Sequence, residues 1–260
     1  MENLRISLMQ SALHWENIAG NLAMFSEKIN GLSEPTDLIV LPEMFSTGFS
    51  MQAEKLAETM GGLAVQWMRN IASENGCVLV GSLMIKEQEK FFNRLIWMRP
   101  DGSFEHYDKR HLFSLSDEPT IFTAGKERVI VELKGWRICP LVCYDLRFPV
   151  WSRNIDSEYD LLLYIANWPE RRNTAWKQLL RARAIENLSY TIGLNRVGND
   201  GAQVYYSGDS AVISPLGEVL FEQAHDECTH SFTLDFSAQK TLRKELPFLN
   251  DADNFTLTTN

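Results

Sequence analysis

Short apolar runs of strand length alternate along the chain with segments of helical spacing, and this pattern constrains the fold more than any other feature of the sequence. Four segments have helical spacing, at 17–30, 62–74, 171–187 and 237–244. About a dozen strands with so few helices exceed one doubly wound layer, so the pattern predicts two packed mixed sheets with helices outside them. The predicted strands lie at 4–9, 37–41, 78–83, 93–98, 104–107, 129–133, 137–142, 160–165, 190–194, 211–214, 218–221 and 231–236.

The charge balance and the apolar runs exclude several classes of protein. The 260 residues include 25 Lys and Arg against 34 Asp and Glu, which gives a net charge of −9. Such a field repels phosphate backbones, so we expect no nucleic-acid partner. No apolar run approaches the roughly 18–20 residues of a membrane helix, and the start of the chain has no signal-peptide pattern. We therefore expect a cytoplasmic protein without a membrane partner, whose cysteines are thiols.

Of the four cysteines, Cys143 is the candidate nucleophile. It follows an apolar strand and precedes a turn or helix, where a thiol near a lysine has its thiolate stabilised. Cys139 lies within that strand and Cys77 opens another, so both are expected in the core. Cys228 is placed in a polar loop. No cysteine pair has the spacing of a zinc site, and we predict no metal and no cofactor.

A cysteine nucleophile needs a base, and the sequence offers two kinds. His111 is the best placed of five histidines, although a structural role fits it equally well. Glu43 follows a buried strand among apolar neighbours, where burial raises the pKa of a carboxyl group towards neutrality. Lys109 follows a third strand. Each of these residues alone fits a structural role, but side chains at strand ends can meet in one cleft.

The chain resembles the nitrilase, or carbon–nitrogen hydrolase, superfamily, and within it the omega-amidase branch. The resemblance rests on LPEMFSTGF around Glu43, YDKRHLF around Lys109 and LVCYDLRFPVWSR around Cys143. ANWP at 166–169, RARAIEN at 181–187 and NRVG at 195–198 follow in the family's order.

This resemblance implies a four-layer α-β-β-α sandwich, a single domain over 1–260 and a homodimer formed through a helical face. It implies a catalytic triad of Glu43, Lys109 and Cys143, and Glu118 matches a second family glutamate. The N–H of Tyr144 would help to bind the oxyanion. The implied substrates are small omega-amides of dicarboxylates, such as 2-oxoglutaramate or 2-oxosuccinamate. Arg147 is a candidate for the substrate carboxylate, as are Arg171 and Arg172, while Phe45 and Trp168 are candidates for the pocket wall.

Other readings stay open at this level. The same triad serves a nitrilase, an N-carbamoyl amino acid amidohydrolase or a general aliphatic amidase. A redox or thiol-binding protein without catalysis would explain Cys143 but not the segments around Glu43 and Lys109. Residues 246–260 form a C-terminal arm that either packs on a partner chain or folds back on its own domain.

Overall fold

The computed structural model describes residues 2–253, 255 and 256, and in them strands and helices alternate much as the sequence predicts. The strands are β1 Leu4–Gln10, β2 Leu38–Val40, β3 Val78–Glu87, β4 Lys90–Met98, β5 Phe104–Asp108, β6 Val131–Leu133, β7 Trp136–Val142, β8 Leu161–Ala166, β9 Tyr190–Asn195, β10 Val197–Asn199, β11 Tyr205–Ile213, β12 Val219–Ala224 and β13 Cys228–Leu234. The α-helices are α1 Ile18–Asn30, α2 Ala53–Leu56, α3 Leu63–Asn75, α4 Glu118–Ile121, α5 Pro149–Ser152, α6 Asn173–Asn187 and α7 Phe236–Glu245. Short 3-10 turns follow β7 and α5 and precede α6.

The strands form two mixed sheets. The first has the order β13-β1-β2-β3-β4-β5, in which β1, β2 and β3 run parallel and the outer strands pair antiparallel. The second has the order β10-β11-β9-β8-β7-β6, with β12 also paired to β11 and with β7, β8 and β9 parallel. In both sheets a parallel centre is flanked by antiparallel strands, so the sheets are mixed.

The two sheets pack face to face, and helices cover their outer faces. Alternate residues of the first sheet, such as Val40 and Trp97, share one apolar cluster with the second sheet. The intervening residues of the first sheet, such as Ile39, pack instead with α1 and α3. On the second sheet, a Cβ added at Gly193 of β9 would lie 2.4 Å from a methyl group of Leu180 in α6, so that helix lies directly on the strand. The predicted four-layer sandwich is confirmed.

Two local features differ from the sequence prediction or extend it. Cys228 was placed in a polar loop, but it is the first residue of β13 because it pairs with Gln10 of β1. The strand predicted at 211–214 begins six residues earlier, since β11 continues as the partner of β10. No helix in the described part of the chain is long and apolar enough to cross a membrane.

The segment 246–260 is described in part. Its 3-10 turn Phe248–Asp251 faces the segment around Asp156, and Leu249 lines a surface groove together with Arg153. This portion therefore folds back on its own chain, and residues 254 and 257–260 of the predicted arm lie outside the described residues.

Candidate active site

Three strand ends deliver three side chains to one place between the sheets. Glu43 follows β2, Lys109 follows β5, and Cys143 follows β7. The first two strands belong to the first sheet and the third to the second sheet, so the site lies where the two sheets meet. Side chains predicted separately from strand-end positions thus lie together, as expected for the carboxyl ends of strands in α/β folds.

Lys109 lies between two carboxylates in a buried cluster. Its Nζ donates to Glu43 Oε1 at 3.0 Å and to both carboxylate oxygens of Glu118 at 2.9 Å. All three side chains are 0% exposed. Burial alone lowers the pKa of Lys109, but the negative charges of Glu118 and Glu43 outweigh it and raise that pKa. The amine therefore stays cationic, and it holds the two acids in fixed positions.

Two asparagines that the sequence analysis did not single out hold Glu43 in place. Asn93 Nδ2 donates to Glu43 Oε1 at 2.8 Å, and it also lies 3.3 Å from Glu118 Oε1. The backbone N–H of Asn167 donates to Glu43 Oε2 at 2.8 Å, while its side-chain amide donates to the Glu43 carbonyl at 2.6 Å. Asn167 belongs to the ANWP motif, which was the signal available in the sequence. Asn93 has no comparable local signal.

Cys143 sits on a strained turn. Its φ of 47° is left-handed, and a residue with a side chain adopts this conformation when its surroundings enforce it. It begins a 3-10 turn, so the N–H of Tyr144 belongs to the first turn and has no partner within that turn. The Cys143 Sγ lies 3.8 Å from the Asn167 carbonyl oxygen. The turn thus presents the thiol beside a backbone N–H group.

The side chain of Asp145 holds this turn in place through hydrogen bonds. Its buried carboxylate accepts hydrogen bonds from the backbone N–H of Val142 at 3.0 Å and from the hydroxyl of Tyr107 at 2.8 Å. It also accepts from the backbone N–H of His111 at 3.0 Å, and His111 Nδ1 lies 2.8 Å away. The His111 ring stacks on Phe148 with its centroid at 3.7 Å. His111 therefore supports the turn structurally.

The ionisation of Cys143 differs from the sequence prediction. A stabilised thiolate was expected, but burial raises the pKa of Cys143 well above its ordinary value. The negative charge of Glu43 raises it further, and Lys109 opposes these effects only in part. The turn is too buried for its N–H dipoles to outweigh the loss of water, so the group rests as a thiol, and any nucleophilic role for it requires a base.

A pocket of about 170 Å³ opens onto the thiol. Lys109, Cys143, Tyr144 and Trp168 are among the residues that line it, and Cys143 is 8% exposed. Phe45 does not line the pocket, contrary to the prediction. It belongs to the turn that follows β2 and packs against Phe25, Trp67 and the helical face of the first sheet. The aromatic wall also includes Phe49 and Phe113, which the sequence analysis did not identify.

Arginines surround the outer part of the pocket. Arg147, Arg171 and Arg172 all line it. The guanidinium of Arg147 lies over the ring of Trp168 at 4.9 Å, and that of Arg172 lies over Phe113 at the same distance. Such a lining suits a small molecule with an anionic end. Among the described residues, no group of three or more His, Cys, Asp or Glu side chains is arranged to bind a metal ion.

Comparison with known proteins places the chain in a family. The model of the carbon–nitrogen hydrolase family matches residues 5–243. The chain belongs to the carbon–nitrogen hydrolase family. It is 45% identical to the omega-amidase YafV of Escherichia coli K12 over 258 residues, which cover 99% of this chain and 100% of that protein. It is 31% identical to a 2-oxoglutaramate amidase of Bacillus subtilis, over 95% of this chain and 96% of that protein.

The fold agrees with a solved member of the same superfamily. A crystal structure of a CN-hydrolase superfamily protein from Xanthomonas campestris matches with a TM-score of 0.97 and 46% identity. The match covers 99% of this chain and 100% of that chain, and that protein carries an arsenic adduct in its active site. The resemblance seen in the three sequence motifs therefore extends over the whole fold.

Proposed function

We propose that the protein is an omega-amidase, which hydrolyses the terminal amide of small omega-amido dicarboxylates and releases ammonia. One observation carries this proposal: a buried thiol, a buried carboxylate and a buried ammonium group meet at the base of a small pocket whose outer part is lined by arginines. The omega-amidase YafV and the 2-oxoglutaramate amidases, which this chain resembles at 45% and 31–33% identity, support the same reaction class.

In the first half of the reaction, Glu43 acts as the base. It takes the thiol proton of Cys143 as the sulfur attacks the amide carbon, and a carbon–sulfur bond forms while the carbonyl oxygen becomes an oxyanion. Protonated Glu43 then gives this proton to the amide nitrogen, the carbon–nitrogen bond breaks, and ammonia leaves. A thioester on Cys143 remains.

In the second half, Glu43 activates water. The carboxylate accepts a proton from the attacking water, and the hydroxide adds to the thioester carbon. Collapse of this second intermediate breaks the carbon–sulfur bond, and the proton returns from Glu43 to the sulfur. The products are ammonia and the free dicarboxylate, and two successive half-reactions on one nucleophile give ping-pong kinetics.

Lys109 and the Tyr144 N–H stabilise the oxyanion in both halves. Each such preorganised donor contributes about 3–4 kcal/mol to transition-state binding where one has been removed by mutation. Glu118 accepts from Lys109 through both of its oxygens and so keeps the ammonium group directed at the pocket. Trp168 forms part of the wall, and Arg147 binds the far end of the substrate.

The test is a substrate panel with direct detection of ammonia. We expect 2-oxoglutaramate to be turned over with a higher kcat/KM than an aliphatic nitrile, a simple aliphatic amide or an N-carbamoyl amino acid. Cys143→Ala should abolish turnover and leave the circular dichroism spectrum unchanged. Faster turnover of another class would assign the protein to that branch, and a reactive thiol without any ammonia release would favour a thiol-binding protein.

We also propose a single catalytic domain, a homodimer and a cytoplasmic location. Val150 of α5 and Ile185 of α6 are about half exposed on the helical layer of the second sheet, as a helix-mediated contact between two chains would require. Light scattering of the purified protein should give twice the monomer mass of 29.8 kDa. A monomer with full turnover would contradict the proposed dimer and would leave the proposed reaction unaffected.

A further inference from the structure

The segment that follows β8 contacts both the proposed base and the proposed nucleophile, although it lies beyond the sheet. The last pair of the β8–β9 ladder is Ala166 with Asn195. One residue further on, the N–H of Asn167 donates to Glu43 Oε2 at 2.8 Å. The Asn167 carbonyl oxygen lies 3.8 Å from Cys143 Sγ, as the acceptor of the thiol. The geometry of the reacting pair therefore depends on how the backbone of this segment is held.

The side chain of Asn195 takes the place of the ladder beyond its last pair. Its Oδ1 accepts from the N–H of Trp168 at 2.8 Å, and its Nδ2 donates to the Trp168 carbonyl at 2.9 Å. The Asn167 carbonyl and the Trp168 N–H belong to one planar trans peptide group, in which they point in opposite directions. The hydrogen bond from the Trp168 N–H to Asn195 thus fixes the direction in which the carbonyl meets the Cys143 thiol.

The amide group of Asn195 is itself held at every polar position. Its Oδ1 also accepts from the N–H of Arg196 at 2.9 Å, and its Nδ2 also donates to the Gly208 carbonyl at 2.8 Å. These bonds use both lone pairs of the oxygen and both N–H groups of an amide whose residue is 1% exposed. Two backbone donors face one end of the amide and two backbone acceptors face the other, so its orientation is settled.

Support for Asn195 comes from both sheets. Its backbone N–H donates to the hydroxyl of Ser210 at 2.9 Å, and that hydroxyl donates to Gln10 Oε1 at 2.6 Å. Gln10 belongs to β1 of the first sheet, whereas Asn195 and Ser210 belong to β9 and β11 of the second. A continuous set of hydrogen bonds therefore connects the frame of the fold to the Asn167–Trp168 peptide.

The side chain of Trp168, which forms part of the pocket wall, is held by other contacts. Its indole N–H donates to the Arg172 carbonyl at 2.8 Å. Its ring packs against Trp176 of α6, with the two ring centroids 5.5 Å apart. Loss of the Asn195 amide should therefore disturb the reacting groups more than the surface that binds the substrate.

We propose that Asn195 is a positioning residue, which aligns the Cys143 thiol with Glu43. It does so by fixing the Asn167–Trp168 peptide, and it does not itself line the pocket. This inference rests on the proposed omega-amidase function and deepens it. It also gives the NRVG motif at 195–198 a role at the site, which the proposed reaction does not otherwise supply.

Two substitutions test this role by steady-state kinetics, with the amide that the unmodified protein turns over fastest. Asn195→Leu keeps the size and removes all four hydrogen bonds, so kcat should fall by about 100-fold while KM stays within about 3-fold. Asn195→Asp keeps an acceptor for the Trp168 N–H but loses the two donors, so we expect a smaller loss of about 10-fold. Thr191→Val is the control in the same strand. Its hydroxyl is buried without a partner in the described part of the chain, so kcat should stay within about 2-fold.

Alkylation of Cys143 by iodoacetamide gives a readout that does not depend on turnover. The thiol donates to the Asn167 carbonyl, and this bond favours the protonated form of the thiol. In Asn195→Leu the pH midpoint of alkylation should therefore move to lower pH, whereas Thr191→Val should leave it unchanged. Peptide mass mapping assigns the alkylation to Cys143, and circular dichroism with urea unfolding shows that each variant is folded in the assay. The charged groups around the thiol are the same in both variants, namely Glu43, Lys109 and Glu118.

The possible outcomes separate this inference from the proposed function. A folded Asn195→Leu variant with kcat within about 3-fold of the unmodified protein and with an unchanged alkylation midpoint would overturn the positioning role. A rise in KM that accounts for the whole loss of kcat/KM would overturn it as well. If Asn195→Leu does not fold, Asn195→Asp decides, and an unchanged kcat and midpoint in that variant would sink the proposal. Unmodified protein that releases no ammonia from any amide would contradict the omega-amidase function, and the alkylation midpoints would still test Asn195.

Discussion

At the scale of single residues, the proposed nucleophile is a thiol whose surroundings oppose its ionisation. The pKa of Cys143 is raised first by burial and then by the charge of Glu43, which the proposed mechanism uses as the base. The cation of Lys109 acts in the opposite direction but is shared with Glu118. Such a site keeps the nucleophile protonated until the substrate arrives, so the thiol should react slowly with small electrophiles at neutral pH.

We therefore predict opposite effects of one substitution on thiol reactivity and on turnover. Glu43→Gln removes a negative charge beside Cys143, so the pKa of Cys143 should fall and the pH midpoint of its alkylation by iodoacetamide should move to lower pH. Ammonia release should fall by about 100-fold or more, because the base is lost. The alkylation is followed by peptide mass mapping in a Cys228→Ser background, since Cys228 is the other partly accessible thiol. An unchanged or higher midpoint would contradict the prediction.

At the scale of the elements, two strand ends must be held in place for the site to form. The turn after β7 depends on Asp145, which is fully buried and accepts from Val142, Tyr107 and His111. This carboxylate ties β7 to the chain that leaves β5, and hence places Cys143 relative to Lys109. Asp145 acts on the reaction through the positions of these two residues.

Asp145→Asn should destabilise the protein strongly. The amide NH2 of Asn cannot accept hydrogen bonds, so part of the buried N–H and O–H donors that now face the Asp145 carboxylate would lose their acceptor. We therefore expect the free energy of unfolding to fall by about 2–4 kcal/mol. Urea unfolding followed by circular dichroism gives this value. Asp251→Asn, an exposed position of the C-terminal turn, is the matched control, and its effect should stay within about 0.5 kcal/mol. Equal stabilities of the two variants would show that Asp145 does not hold the turn.

Gly125 controls the end of β5. Its N–H donates to the Lys109 carbonyl at 3.0 Å, and a Cβ added there would lie 2.0 Å from the Asp108 carbonyl oxygen. Gly125→Ala must therefore displace the strand end that carries Lys109, and we expect a large loss of both kcat and stability. Gly31→Ala is the control, since its added Cβ would have its nearest neighbours at 3.5 Å and its φ is −81°. Normal kcat in Gly125→Ala would contradict this reading.

At the scale of the whole molecule, the two ends of the chain complete one sheet. β13 pairs with β1 along its whole length, so β1 lies inside the first sheet although it opens the chain. Gln10 Oε1 accepts from the Ser210 hydroxyl at 2.6 Å and so joins the first sheet to β11 of the second. After β13 in the chain, helix α7 is held in place by Arg243, whose guanidinium donates to the Asp160 carboxylate at 2.8 Å.

Two truncations should therefore differ sharply. A chain that ends after Leu246 keeps β13 and α7, and we expect it to fold and to release ammonia at a rate within about 2-fold of the full chain, because none of the described residues beyond Tyr206 lines the pocket. A chain that ends after Asp226 loses both elements and leaves β1 as an open edge, so it should aggregate. Circular dichroism and gel filtration measure both outcomes. Loss of turnover in the longer chain would show that the segment after Leu246 takes part in the site.

The sequence by itself determined most of the elements and indicated the residues of the candidate site. Apolar runs of strand length and helical spacing are local patterns, and they predicted the two mixed sheets and the order of the strands along the chain. Polar residues directly after buried strands, such as Glu43 and Cys143, were visible for the same reason. Only the tertiary structure decided what surrounds these groups, because burial and facing depend on segments far apart in the chain. In the folded protein, Phe45 packs with the helices on the outer face of the first sheet, and Asn93 donates a hydrogen bond to Glu43. Burial raises the pKa of the Cys143 thiol, which the local turn alone would have lowered.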